Sequence, residues 1–170
     1  MIGRTRIGPG ILVAVVLVSG AGCGTERLAD DLTTPGLTRQ SAFDTLVRYI
    51  EETASALPAA ASLRLPTGSS SKVPCVSPPV ENGPVRTGVQ NVPINVRGDA
   101  NADDVLDSVA GIWVDDRGWT VEVDSRKEPD PDLPLVQVDT ADDYSLTIRN
   151  EPGIGLMRSG STPCFAANAG

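Results

Sequence analysis

Residues 144–164, YSLTIRNEPGIGLMRSGSTPC, decide the fold. Tyr144, Leu146 and Ile148 alternate with Ser145, Thr147 and Arg149, the two-residue period of a strand with one buried face. Glu151-Pro152-Gly153 supplies a turn, and Ile154 to Ser159 returns as the partner strand. Cys164 follows directly. A hairpin of this kind buries one side only, so the rest of the chain must supply a cover for it.

Upstream, Trp119 to Asp124 alternates in the same way, with Trp119, Val121 and Val123 expected inward and Thr120, Glu122 and Asp124 outward. Asp115 to Gly118 (DDRG) is a turn. The spacing of Val105, Leu106, Val109, Ile112 and Trp113 predicts a helix from about Ala102 to Val114. Asn101 can cap it, Asp103 and Asp104 suit the positive end of its dipole, and Gly111 weakens it. Val85 to Val96 is extended but interrupted by Gly88 and Pro93, so it reads as an edge strand or a bulged one.

An earlier helix begins at an N-cap, Thr38, and carries Phe43, Leu46, Val47, Ile50, Ala54 and Leu57 on one face. Asp44, Arg48, Glu51 and Glu52 face away, and Pro58 ends it. Pro66 to Pro84 (PTGSSSKVPCVSPPVENGP) reads as loop, pinned in its middle by Cys75. The charged, proline-broken run Ser125 to Pro134 is a loop as well. The expected fold is α+β: an antiparallel sheet of about four strands, two helices on one face and one disulfide.

The N-terminus points to a location. Arg4 and Arg6 precede an apolar core, Ile11 to Val18, and small residues Ser19 to Gly22 lead into Cys23. The core is shorter than the roughly 20 residues a membrane span needs and suits an export signal. The order resembles a bacterial lipoprotein signal peptide, which implies that Cys23 is acylated and becomes the first mature residue. Gly20 departs from that motif, which carries leucine three places before the cysteine. Ordinary signal cleavage, for instance after Ala21, is the alternative and would leave Cys23 a free thiol. The expected division is a signal at 1–22, a tether at 23–37 and a single extracytoplasmic domain at 38–170. Two acyl chains hold a protein at a membrane where one gives only reversible binding.

Charge and composition limit the partners. The formal charge of −8 grows when Arg4 and Arg6 leave with the signal, which argues against nucleic acid, whose phosphates require Lys and Arg. Cys75 and Cys164 are an even pair outside the cytoplasm and read first as a disulfide. Each follows a proline, which reads as the edge of an element.

The chain has no histidine, which removes Ser-His and Cys-His catalysis and histidine-based metal sites. Asp99-Ala100-Asn101-Ala102-Asp103 copies the start of a calcium loop. The sixth and twelfth places then hold Asp104 and Ala110 instead of glycine and a carboxylate, so the loop fails and a capped helix remains. Ser69-Ser70-Ser71-Lys72 matches S-x-x-K, but it lies in a loop without companion motifs. Asp115-Asp116 and Asp142-Asp143 are the acidic pairs that could serve a glycan hydrolase, yet they fall in turns and caps. Trp113 and Trp119 read as core. No catalytic residue, metal site or cofactor is assigned.

The acylable Cys23, the early helix, the Val73-Pro74-Cys75 segment before an extended strand, and the closing Gly155–Phe165 run that carries Cys164 resemble the small LppA-like lipoproteins of mycobacteria and related actinobacteria. The resemblance implies an envelope location and a disulfide-closed α+β domain, and it carries over no catalytic or ligand residues. The resulting expectation is a lipid-anchored protein on the extracytoplasmic face of a high-GC Gram-positive membrane. It would be a binding or accessory module for an envelope protein or for an apolar or glycan ligand; the alternative is a carboxylate-dependent hydrolase acting on cell-wall material. A roomy apolar pocket between sheet and helices would favour ligand carriage. Two carboxylates in an open groove would favour hydrolysis, and a solid core with an exposed flat face a protein partner. Intact-mass analysis of native protein should show cleavage before Cys23 and the added mass of its acyl chains; Cys23→Ser should abolish that addition.

Overall fold

The computed structural model describes residues 32–66, 72–77, 79, 81–128 and 133–168. Thr38 caps α1 (Arg39–Ala56) by exchanging hydrogen bonds with Ser41 in a capping box. The helix stops where the sequence says it must: Leu57, before Pro58, is already extended at ψ 148°. There follow β1 (Ala61–Leu63), β2 (Lys72–Pro74), β3 (Val85–Val96), α2 (Ala102–Gly111), β4 (Thr120–Asp124), β5 (Leu135–Asp139), β6 (Ser145–Glu151) and β7 (Gly155–Ser161). The strands pair antiparallel in the order β1-β3-β7-β6-β5-β4, with β2 held on β3 as well.

The fold class stands, with both helices packed on an antiparallel sheet closed by the Cys75–Cys164 disulfide. The sheet has seven strands, however, not about four. β1 and β2 are three residues each, too short to show a period, and β2 lies inside the segment expected to be loop. β5, behind the proline-broken run, has no counterpart among the expected strands. β3 is bulged rather than an edge strand: its register to β7 shifts between Val89 and Val92, where Asn91 adopts φ 54°. β7 lies along one side of it, and β1 and β2 hold its two ends on the other.

The expected inward row of β4 is corrected. Val121 and Val123 are 39% and 45% exposed. β4 is the last strand of the sheet, and its register to β5 slips between Val121 and Val123, so these two do not share a face. Only Trp119 packs, edge-on to the Tyr49 ring at 5.3 Å. α2 is also shorter than expected: beyond Gly111 the chain widens into a π turn, Ile112–Asp116.

The core lies between helices and sheet. Leu46 and Ile50 of α1, and Val105, Leu106 and Val109 of α2, pack on Val89, Val136, Val138, Leu146, Ile148 and Leu156. Trp113 is fully buried, and its indole Nε1–H donates to Thr53 Oγ1 at 3.0 Å. At Gly160 a Cβ would stand 2.9 Å from Leu146 Cδ2 and 3.0 Å from Leu46 Cδ1, so a side chain there must displace leucine methyls packed between β7 and α1. Gly160→Val should therefore lower the unfolding free energy by about 1–3 kcal/mol or more. Urea denaturation measures this, and a change below about 0.5 kcal/mol, the range of an ordinary surface substitution, would contradict the packing.

Candidate binding surface on the uncovered sheet face

With apolar residues turned to the helices, strand alternation sends the polar ones to the opposite face. β6 presents Ser145, Thr147 and Arg149 there, and β7 presents Ser159 and Ser161. Their register sets Ser145 opposite Ser161 and Thr147 opposite Ser159, giving two rungs of hydroxyls. β3 continues the surface with Arg86, Gly88 and Gln90, and Gly88 pairs with Ser161. A Cβ at Gly88 would stand 3.0 Å from the Gly160 carbonyl oxygen, so a larger residue there would press on the β7 backbone. The missing Gly88 side chain deepens the floor.

A cavity of about 490 Å³ opens over this floor, between Arg86, Gln90 and Asn91 of β3, Arg149 of β6 and Val73 of β2. A second cleft of about 310 Å³ shares Arg86, Ser145 and Ser161 and extends to Asp139, Asp143, Thr34 and Cys164. The two make one polar trough running from the β3 bulge to the disulfide.

Its two arginines differ. The Arg149 guanidinium is held, donating to Asn91 Oδ1 at 2.8 Å and to Glu151 Oε2 at 3.2 Å. The positive φ of Asn91 is what turns its side chain's segment out of the ladder. The Arg86 side chain is exposed and forms no hydrogen bond or ion pair with another described residue. In the same cleft, Asp139 Oδ1 is buried without a partner.

The residues singled out from sequence fall elsewhere, with two exceptions. Cys23 and Ser69 to Ser71 lie outside the described residues, and Lys72 opens β2. Cys75 and Cys164 are bonded with their Cα atoms 6.2 Å apart, and Cys164 borders the trough. Asn101 caps α2 by accepting from the Asp103 N–H, while Asp103 accepts from Asn150 Nδ2 at 2.9 Å, so both are engaged in structure. Asp115 and Asp116 are exposed in the π turn. Asp142 accepts from Tyr49 Oη at 2.8 Å and Thr140 Oγ1 at 2.6 Å. Burial first, then that carboxylate, raises the Tyr49 pKa. Asp143 alone of the paired acids lines the trough.

The trough itself was missed. Its only trace in the sequence is the outward hydroxyls of 145, 147, 159 and 161, which become one surface only once the β6–β7 register is known. Among the described residues no group of three or more Cys, Asp or Glu could hold a metal ion, and no helix is long and apolar enough to cross a membrane. Comparisons with protein-family models, with curated proteins and with solved structures find no match.

Proposed function

We propose that this chain is a membrane-anchored lipoprotein of the cell envelope, of the LppA-like kind, that works as a binding module for another envelope protein. The polar trough on the uncovered sheet face is its recognition surface. The observation that carries this reading is the trough's lining: hydroxyl rungs, a glycine floor and the exposed cation Arg86, on a protein of net charge −8. A polar, extended partner segment with a carboxylate opposite Arg86 is complementary to it, since Arg meets a carboxylate with two parallel hydrogen bonds.

Two features weigh against the small-ligand versions. Among the described residues the apolar side chains between helices and sheet pack against one another as a core, which weighs against carriage of an apolar ligand there. Sugars are commonly gripped by aromatic faces, but Tyr49, Trp113, Trp119, Tyr144 and Phe165 all lie away from the trough lining. The disulfide agrees with an oxidising exterior, and the Cys23 anchor would place the module at the membrane.

Hydrolysis has one observation in its favour: Asp139 and Asp143 line the same cleft. If that reading holds, Asp139→Asn or Asp143→Asn abolishes release of soluble fragments from purified cell wall.

A photoreactive amino acid at Gln90 or Thr147, used in intact cells, should trap one discrete partner band. The same probe at Glu51 on the outer side of α1 should trap none, and Arg86→Glu should weaken the trough adduct about tenfold, the effect of losing roughly 1.4 kcal/mol. Equal labelling from both faces, or no trough adduct, would overturn the proposal.

A further inference from the structure

Arg158 stands on the apolar side of the sheet. β7 alternates so that Leu156, Arg158 and Gly160 face the helices while Met157, Ser159 and Ser161 face the trough. Arg158 is 1% exposed, and its Nε, Nη1 and Nη2 are all buried without a hydrogen-bond partner. Its register neighbours are Val92 on β3 and Ile148 on β6. The side chain runs along β7 towards Gly160, where Nη2 lies 3.3 Å from the place a Cβ would occupy.

One rung further, roughly 7 Å along β3 from the Val89–Gly160 pair, Thr87 meets Thr162. Thr87 is also fully buried, and its Oγ1 has no partner. The Thr162 hydroxyl is occupied: it accepts from the Thr87 N–H and donates to the Pro163 carbonyl. Two orphaned polar groups thus share one face of adjacent strands.

Burial lowers the Arg158 pKa to about 9, which still leaves the guanidinium protonated at neutral pH. Among the described residues no Asp or Glu is buried as a whole, and Asp139, whose Oδ1 is buried, lines the cleft on the opposite face of the sheet. A cation with five N–H donors therefore sits in a core whose described residues offer it no countercharge, whereas buried charges in folded proteins are paired. Water could meet the donors but would leave the charge. Leu46 and Leu146 close over Gly160, so whatever meets the guanidinium is compact.

We infer that the core of this protein holds a compact monovalent anion, halide- or nitrate-sized, between the Arg158 guanidinium and the Thr87 hydroxyl. The guanidinium neutralises it and presents a fork of N–H donors, and the hydroxyl donates from the neighbouring strand. This site lies on the opposite side of the sheet from the trough and does not depend on what binds there.

The test starts from full-length protein exchanged into sodium gluconate and titrated with sodium bromide at constant ionic strength. The thermal midpoint should rise with bromide, as it does for any ligand of the folded state alone. Arg158→Met should remove the rise, and Thr87→Val should require about tenfold more bromide for the same shift. Anomalous diffraction from bromide-soaked wild-type crystals should place a peak within hydrogen-bond reach of the guanidinium, a readout that stands even if the Arg158 variant does not fold. A wild-type midpoint indifferent to bromide, a crystal without that peak, or an Arg158→Met variant that keeps the full shift (an adventitious ion only) would each overturn the inference.

Discussion

α1 lies against β7 at Gly160, where any side chain would run into Leu46, Leu146 and the Arg158 guanidinium, none more than 3.3 Å away. A Cβ at Gly88 on β3 would in turn stand 3.0 Å from the Gly160 carbonyl oxygen. The two glycines stand at close approaches on neighbouring strands: Gly160 where α1 meets the sheet, Gly88 where β3 meets β7. Close-packed interiors transmit such constraints because they hold few voids to absorb a shift. Widening the gap at Gly160 would loosen Leu46 from the sheet and open the place where the guanidinium lies.

Much of this was legible beforehand, and particular residues show why. Thr38, Leu46, Ile50 and Pro58 carry a complete helix signal of cap, period and stop, and α1 follows it. Leu146 and Ile148 carry a clean two-residue period, and the Glu151-Pro152-Gly153 turn forces the β6–β7 hairpin, with Gly153 at φ 78°. Period fails as a guide where strands are short or slipped. Lys72–Pro74 cannot show alternation in three residues, and the bulge in β4 moves Val121 and Val123 off a common face. The trough was illegible for a further reason: it depends on the pairing of Ser145 with Ser161 and of Gly88 with Ser161, and pairing is a long-range property. Arg158 looked like an ordinary member of the returning strand, and only the register reveals that it faces inward.

The same alternation that builds the core also produces both functional candidates, one on each side of the sheet. On the helix side it buries a cation among Val92, Ile148 and Leu46, where its charge demands a partner. On the other it gathers hydroxyls and Arg86 into an open polar surface. The disulfide ties the chain just beyond β2 to the end of β7, and mutual hydrogen bonds between Val85 and Phe165 fasten the same corner. The trough thus rests on strands whose ends are covalently joined, which would limit the entropy lost if the proposed partner segment bound there.

The most direct measurement of the central contact is a nuclear Overhauser spectrum of the folded protein with labelled leucine methyls. The account predicts strong cross-peaks from a Leu46 methyl to the α protons of Gly160. Their absence, with Leu46 instead contacting residues distant from β7, would contradict the docking of α1 on which the layers depend.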